Sequence, residues 1–408
     1  MKNSNIYLER NEFKRNKEKM MRNIRIQRRI INILGILGIL FTISVANIYS
    51  AGFYNVGMKN KQMFTHCVYF VLGTIICFTI ANKFNYKLLV KGKNAKLIFF
   101  GMFTTLATMP ILARIAPMIV PKRNGATAWI NIPGVISIQP SEIFKIFFIV
   151  LVAHRLTLSE YEGDKNGKLL IKNLIIPIIF FSLIILQNDL GTVIHYLTIF
   201  LFMIFMSRID GKIITKVVTL VIVTIGGVFT YIYQLETEGL GYKIRRVKGF
   251  LNGLLNNIYD NDIGYQVGQS LIGLGNGGMI GTGYGNGIQK YSYLPEIHTD
   301  FIFASFGEEF GLLGVLLVIM LFWGLFNQIK SISSDTEDLF AKYLCIGVSG
   351  YIFTQFLINI SVAIGLLPVF GIPMPIFSYG GSSLLGLSIS MGIILNINKS
   401  IKYEKRDS

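Results

Sequence analysis

The sequence predicts an all-α polytopic membrane protein with ten transmembrane helices, both termini in the cytoplasm and a large extracytoplasmic loop between helices 7 and 8. Three observations predict this class: the composition, the number of long apolar stretches and the distribution of Lys and Arg. Of the 408 residues, 52% are hydrophobic and 15% are charged, whereas soluble domains contain about 25% charged residues. The composition therefore excludes a conventional soluble enzyme.

Ten stretches of the sequence are typical of membrane spans, each of which needs about 20 mostly apolar residues. These stretches are 30–49, 64–82, 97–119, 142–157, 169–187, 190–206, 214–233, 301–327, 339–364 and 378–396. The fourth and sixth are short and contain ionisable residues, and only the polar residues 187–189 separate the fifth from the sixth. We predict a membrane domain over 30–398, between a basic cytoplasmic tail, 1–29, and a second cytoplasmic tail, 399–408.

The Lys and Arg residues set the orientation, because cytoplasmic loops accumulate cations. If the N-terminal tail is cytoplasmic, 28 of the 39 cations lie on the cytoplasmic side, 2 lie within spans and 9 lie outside, Lys290 among them. Both termini are then cytoplasmic, and anionic lipids of the inner leaflet explain the net charge of +17. We therefore expect the excess of Lys and Arg to contact membrane lipids, and we expect no nucleic acid as a partner.

The segment 234–300 is placed outside by this orientation and is far longer than most loops. Four of the nine outer cations, Lys243, Arg245, Arg246 and Lys248, fall within six residues of it. Arg guanidinium and Lys ammonium groups suit a phosphate or diphosphate, and lipid headgroups are an equally good partner for a loop of this charge. The cluster alone leaves both partners open.

A glycine-dense run, Gly273 to Gly287, contains eight glycines and a literal GxGxxG at its start. A dinucleotide site is not expected, because no strand–helix crossover surrounds the motif and nucleotide cofactors are scarce outside the cell. Glycine permits tight turns and close approach of the backbone to another group. We therefore expect either compact turns here or a backbone surface that approaches a substrate.

Asp300 ends the segment LPEIHTD (294–300) and directly precedes the apolar stretch that starts at Phe301. This position puts a carboxylate at the outer edge of the membrane, at the start of a helix. Such a carboxylate can act as a general base, bind a divalent cation or cap the helix. Position alone favours the cap.

Ionisable residues inside spans cost about 2.5–3.5 kcal/mol each on translocon scales and therefore need partners. Glu142 and Lys145 are three residues apart on the fourth helix and face the same side, so an ion pair is expected. His195 is more typical of a packed side chain than of a catalytic one. The four histidines have no ligand-like spacing, which argues against a zinc site.

Several sequence blocks resemble, in order, the signature of the SEDS family (RodA, FtsW and SpoVE). The blocks are Gly125-Ala126-Thr127-Ala128-Trp129-Ile130 with Gln139-Pro140-Ser141-Glu142-x-x-Lys145; Asp189-Leu190-Gly191-Thr192; Arg246 with Gly264-Tyr265-Gln266-x-x-Gln269-Ser270; Leu294 to Ala304 with Gly307-Glu308-Glu309; and Gly365-Leu366-Leu367-Pro368 with Ser378-Tyr379-Gly380-Gly381-Ser382-Ser383. They extend from the third span to the tenth. One departure is Asn188, where the family usually has proline before the aspartate.

The resemblance implies a peptidoglycan glycosyltransferase that polymerises lipid II, a disaccharide carried on undecaprenyl pyrophosphate, into β-1,4 glycan strands outside the cytoplasmic membrane of a bacterium. It also implies a class B penicillin-binding protein as partner, which crosslinks the glycan. Asp300 matches the family's essential catalytic aspartate, and Trp129, Glu142 and Lys145 match functionally sensitive positions. A Mg²⁺ or Mn²⁺ ion bound partly by Asp300 is a further expectation, with no organic cofactor.

We expect substrate-binding residues in these blocks and in the cation cluster. They are Arg246, Arg245, Lys243, Trp129, Glu142, Lys145, Gln266, Ser270, His298, Ser378 and Ser382. Arg246, with Arg245 or Lys243, is expected to stabilise the negative charge of the departing diphosphate. Two other functions stay open at this point: a transporter that flips lipid II, and a scaffold of the wall-synthesis complex without catalytic activity.

Overall fold

Helices account for nearly all regular structure in the described part of the chain. The computed structural model describes residues 2–404 except 53–55, 124, 133–135, 164–167, 210, 236–241, 257–258, 260–263, 292–293 and 295. It describes the main chain alone for residues 2–12, 14–15, 56–59, 136, 168–173, 213, 242–243, 246 and 403–404.

Twelve helices and one hairpin form within these residues. The helices are α1 (Lys2–Ala51), α2 (Val56–Lys83), α3 (Asn94–Ile115), α4 (Pro140–Tyr161), α5 (Lys168–Leu186), α6 (Leu190–Phe205), α7 (Gly211–Gln234), α8 (Tyr242–Asn256), α9 (Tyr265–Gly277), α10 (Ile302–Asp335), α11 (Leu339–Ala363) and α12 (Gly381–Glu404). The hairpin pairs β1 (Ile130–Ile132) with β2 (Ile136–Ile138) in antiparallel register, and a single 3₁₀ turn spans Tyr86–Leu89.

Each of the ten predicted spans overlaps one helix, α1 to α7 or α10 to α12. Among the described residues, α1, α2, α3, α7, α10, α11 and α12 are long and apolar enough to cross a membrane. Two more, α5 and α6, are shorter apolar helices, and α4 carries Glu142, Lys145 and Arg155. The chain is thus an all-α protein with several membrane spans. Its loop 234–300 also contains α8 and α9, which the sequence did not predict.

The starts of several helices follow local sequence rules. Asp189 precedes α6 and accepts a hydrogen bond from Thr192 N at 3.1 Å, and Asp338 precedes α11 and accepts one from Phe340 N at 2.9 Å. Pro140 occupies the first turn of α4, where its missing N–H would have no helical partner in any case. These residues therefore determine where α4, α6 and α11 begin.

Helix α11 lies at the centre of the bundle and is buried along most of its length. It packs against α4, α6 and α10, while α12 packs along α2 and α4. In contrast, α7 exposes its apolar side chains and contacts mainly α8. This arrangement gathers one end of each of α4, α6, α10, α11 and α12 around a common region, which contains the candidate site.

Helix α10 is interrupted at Gly311, where φ is 62° and ψ is −167°. The glycine-dense run fills this interruption: Leu312 N donates to Gly278 O at 2.9 Å, and Thr282 N donates to the carbonyl of Glu308 at 3.0 Å. A Cβ atom at Gly281 would lie 2.2 Å from the carbonyl oxygen of Glu309, so only glycine fits. The glycines therefore form compact turns against α10.

Candidate active site

Asp300 lies in the turn that enters α10, and it is half-buried. The main-chain N–H groups of Asp300 and Phe301 both donate to the carbonyl oxygen of Glu296, at 3.1 and 3.3 Å. The N-cap position of α10 is occupied by Phe301. The expectation that favoured Asp300 as the cap residue is therefore wrong: the helix begins one residue later, which leaves the carboxylate outside the first helical turn.

The loop between α11 and α12 passes beside the Asp300 carboxylate. A Cβ atom at Gly371, where φ is 74°, would lie 3.8 Å from Oδ2 of Asp300. The same loop is joined to the turn before α10 by Tyr379 N, which donates to His298 O at 3.0 Å. Two chain segments that are distant in sequence thus form one surface around Asp300.

His298 and Tyr379 flank this surface, with their ring centroids 6.1 Å apart. Burial lowers the pKa of the His298 imidazole, while the nearby Glu296 carboxylate acts in the opposite direction. The imidazole is therefore neutral near pH 7. Neutral imidazole can both donate and accept a hydrogen bond, which suits contact with a sugar hydroxyl better than contact with a diphosphate.

A second polar cluster joins the first turns of α4, α6 and α12. Gln139 Nε2 donates to Oδ2 of Asp189 at 2.7 Å, and Gln139 N donates to Oγ of Ser382 at 2.9 Å. The Ser382 hydroxyl, which the sequence predicts to bind substrate, thus accepts a main-chain hydrogen bond in this structure. Just before this cluster, Asn188 has a φ of 59°, which proline cannot adopt. The family's usual proline would require a different turn here.

One turn deeper along α4, Glu142 and Lys145 form the predicted ion pair. Nζ of Lys145 lies 2.5 Å from Oε1 of Glu142, and both side chains are buried. Nζ also lies 5.6 Å from the ring centroid of Tyr351 on α11, and His195 is packed nearby with Nε2 3.2 Å from Tyr351 O. The ion pair thus lies within α4, and its Lys145 ammonium contacts α11 through the Tyr351 ring.

A second buried ion pair, which the sequence did not predict, lies at the interruption of α10. Nζ of Lys290 is 2.9 Å from Oε1 of Glu309, and the same oxygen accepts a hydrogen bond from Ser50 Oγ at 2.5 Å. The neighbouring Glu308 accepts hydrogen bonds from the main-chain N–H groups of Ile288 and Gln289. Lys290 lies in the loop before α10, as counted from the sequence, but its side chain is only 3% exposed, so its buried pairing was not predicted.

The predicted cation cluster lies on the first turns of α8. The side chains of Lys243 and Arg246 lie outside the described residues, so their proposed contacts with a diphosphate stay predictions. Arg245 is half-buried, and Lys248 Nζ donates to the carbonyl oxygen of Leu235. The cations are thus carried by a helix that packs against α7 rather than by an irregular loop.

Three further predicted residues lie on other elements. Ser270 on α9 is fully buried and donates to Ala363 O at 2.7 Å, which joins α9 to the end of α11. Gln266, one turn earlier on α9, is half-buried, as is Trp129 directly before β1. Their roles toward a substrate stay predictions.

Two side-chain amides close to Asp300, those of Asn359 and Asn47, were not predicted, because only charged residues within the spans were considered as candidates. Asn359 Nδ2 lies 3.0 Å from Asp300 O, and Asn47 Nδ2 lies 3.1 Å from Ile302 O. Each stands within an apolar stretch of the sequence. A neutral amide inside a span also needs partners, so its presence was a readable signal.

Comparison with known proteins agrees with this geometry. Residues 25–403 match the family model FTSW_RODA_SPOVE, described as cell cycle protein. The probable peptidoglycan glycosyltransferase FtsW of Borreliella burgdorferi is 36% identical over 349 residues, which cover 85% of this chain and 88% of that protein. Stage V sporulation protein E of Bacillus subtilis is 34% identical over 281 residues, which cover 69% of this chain and 74% of that protein.

A chain from the solved structure of a peptidoglycan synthase complex that coordinates polymerization and crosslinking has the same fold. Its TM-score is 0.71 at 21% identity, with 91% of this chain and 98% of that chain covered. The family match covers nearly the whole described membrane domain and includes every block around Asp300. The chain therefore belongs to the FtsW/RodA/SpoVE (SEDS) family of multi-pass proteins of the bacterial cytoplasmic membrane.

Proposed function

We propose that this protein is a peptidoglycan glycosyltransferase that polymerises lipid II at the outer face of the cytoplasmic membrane. One observation carries the proposal: a chain of this family holds a half-buried carboxylate, Asp300, at the junction of two loops. Relatives named peptidoglycan glycosyltransferase support the reaction class. The topology that belongs to this proposal has ten spans, α1 to α7 and α10 to α12, with both termini cytoplasmic.

In this topology, α4, α6, α10 and α12 all begin at the outer face, because every second span runs inward. Their N-termini carry the positive ends of the helix dipoles and lie near Asp300 and the Gln139–Asp189 cluster. An anionic diphosphate is stabilised in such surroundings. The outer location of the site thus agrees with a substrate whose diphosphate lies at the membrane surface.

The chemistry assigned to Asp300 is general-base catalysis. The 4-hydroxyl of the acceptor sugar attacks the anomeric carbon of the donor, Asp300 takes the hydroxyl proton, and undecaprenyl pyrophosphate leaves. Attack opposite the leaving group converts an α-linked donor into a β-1,4 bond. Arg246, with Arg245 or Lys243, stabilises the charge that develops on the diphosphate.

A divalent cation is a separate part of the proposal. Within the described residues, no three His, Cys, Asp or Glu side chains lie together in a metal-binding group. A Mg²⁺ or Mn²⁺ ion at Asp300 would need most of its ligands from the substrate diphosphate and water. Loss of activity on chelation, with recovery on adding Mg²⁺, is the measurement that checks it.

A partner is also proposed, a class B penicillin-binding protein that crosslinks the new glycan. Two facts support it: the shared fold with one chain of a peptidoglycan synthase complex, and a bundle that exposes long apolar faces, such as that of α7, to the membrane. A single-pass partner helix can pack on such a face.

The test is polymerisation of labelled lipid II by the purified protein with its partner. Asp300→Asn keeps the size of the side chain and removes the base, so we expect normal folding and partner binding without glycan polymer. Glu162→Gln, which changes an exposed carboxylate after α4, is the matched control and keeps activity. Polymer from Asp300→Asn would refute the base assignment. Translocation of lipid II in vesicles without any polymer from the wild type would favour the transporter.

A further inference from the structure

The main chain on both sides of Asp300 is held by three side chains that come from different parts of the fold. The hydrogen bonds run from Ser378 Oγ to Thr299 O at 2.6 Å, from Asn359 Nδ2 to Asp300 O at 3.0 Å, and from Asn47 Nδ2 to Ile302 O at 3.1 Å. The donors belong to the loop before α12, to α11 and to α1. All three are nearly or fully buried, so water does not compete for these carbonyls.

Asn359 uses both hydrogens of its amide. Nδ2 donates to Asp300 O and also to Ile372 O at 2.9 Å. Because both partners are carbonyl oxygens, the orientation of the amide is fixed. A side chain of the rigid central helix α11 therefore joins the turn that carries Asp300 to the loop that passes beside its carboxylate.

Ser378 connects the same two segments a second time. Its hydroxyl donates to Thr299 O and accepts a hydrogen bond from Met374 N at 2.8 Å. The hydroxyl thus both donates and accepts a hydrogen bond, and both of its partners are main-chain groups of the protein. This geometry indicates that Ser378 supports the site from within, rather than binding the substrate as the sequence predicted.

Burying an amide in an apolar bundle is unfavourable unless its hydrogens are bonded, and an apolar side chain would pack there without that requirement. The three donors instead meet three carbonyls within four residues of one chain segment, 299–302. Their common target is the entry of α10, where the main chain has just left the Glu296 turn. These hydrogen bonds therefore fix the position of the Asp300 main chain.

We propose that Asn359, with Ser378 and Asn47, is a positioning residue that fixes the Asp300 main chain relative to the bundle, so that the carboxylate stays within hydrogen-bond reach of the acceptor hydroxyl. This inference rests on the proposed function. It predicts that loss of these bonds lowers the rate of the chemical step and leaves substrate affinity nearly unchanged.

The test compares two buried asparagines at opposite ends of the bundle. Asn359→Leu removes both hydrogen bonds while keeping the side-chain size. Asn398→Leu is the matched control, because Asn398 is also fully buried and donates to a carbonyl of α1, Ile26 O, at 3.1 Å. Both variants are purified in the full-length complex, and kcat and KM for lipid II are measured together with thermal stability.

We expect Asn359→Leu to lower kcat about 10- to 100-fold, the effect of a misplacement of roughly 1 Å, with KM within about twofold. Asn398→Leu lowers thermal stability to a similar extent and keeps kcat. If Asn359→Leu does not fold, Ser378→Ala against Ser390→Ala gives the same comparison, since Ser390 is buried and bonds only within its own helix, to Gly386 O. Equal kcat for the test and control variants would overturn the positioning role alone. An inactive wild-type complex would overturn the proposed function.

Discussion

Removing the positive charge of Lys290 provides the clearest stability test of this structure. The pair that Lys290 forms with Glu309 has side chains that are 1% and 0% exposed. Lys290→Met keeps the length of the side chain but leaves the Glu309 carboxylate buried with the Ser50 hydroxyl as its hydrogen-bond donor. An uncompensated charge of this kind costs about 3–5 kcal/mol.

The loss is measured as the Tm of the purified protein in detergent. Because the entropy of unfolding is about 2.1 cal/mol/K per residue, 1 kcal/mol shifts the Tm of a 408-residue chain by about 1 °C, so a drop of about 3–6 °C is expected. Arg208→Met is the matched control, because Arg208 pairs with Glu160 while its side chain is 74% exposed. An exposed pair of this kind contributes about 0–1 kcal/mol.

A double variant distinguishes two causes of the lost stability, an unpaired buried charge and lost side-chain packing. In Lys290→Met with Glu309→Gln, no unpaired charge is buried, and most of the lost stability should return. A Tm for Lys290→Met equal to that of Arg208→Met would refute the reasoning, since it would mean that loss of the Lys290 ammonium leaves no costly unpaired charge in the bundle. A double variant that is as unstable as Lys290→Met would also refute it, because packing would then explain the loss.

Two further predictions concern the outer loops. Arg246→Ala should raise KM for the lipid II donor more than Lys122→Ala, which changes an exposed cation on the same predicted side, because Arg246, unlike Lys122, is expected to contact the diphosphate. Equal KM values would refute that role. Because the pKa of His298 is lowered in the folded state, the unfolded state binds more protons as the pH falls below about 6.5. Stability should therefore decrease on acidification through that range, and His298→Gln should reduce the slope of Tm against pH; an unchanged slope would assign it to other groups.

Most of the fold was accessible from the sequence because its signals are local. The apolar stretches predicted α1 to α7 and α10 to α12, and the spacing of Glu142 and Lys145 predicted their pair, since residues three apart share a helix face. The interruption of α10 at Gly311 was not predicted. It depends on the glycine run packing against it, and no local pattern within an apolar stretch reports such a contact.

The catalytic role of Asp300 stays a prediction, and the contacts that hold the Asp300 turn were not predicted from the sequence. Asp300 was singled out by its match to the family's catalytic aspartate, because a carboxylate just before an apolar helix is by itself typical of a cap, as Asp189 and Asp338 are here. The Lys290–Glu309 pair brings together residues on either side of the α10 entry, and Asn359 reaches Asp300 from a helix 59 residues further along the chain. Contacts over such separations follow from how the helices pack, which one sequence without its structure does not give.

The ion pairs differ in burial between the two ends of the bundle. Among the described residues, the pairs with both side chains buried, Lys145–Glu142 and Lys290–Glu309, lie toward the end that carries Asp300. Pairs at the other end have at least one partly exposed partner, as in Arg25–Asp335 at 62% and 30%.

Buried pairs are poor sources of net stability, because desolvation of both charges offsets their attraction. A bundle selected only for stability would place apolar side chains there. At the end of the bundle that carries Asp300 these pairs instead fit a requirement for fixed geometry: the Glu142–Lys145 pair within α4 holds the Lys145 ammonium near the Tyr351 ring on α11, and the Lys290–Glu309 pair joins the loop before α10 to α10 itself. The rigid polar framework is therefore concentrated where a sugar hydroxyl, a carboxylate and a departing diphosphate would have to be aligned.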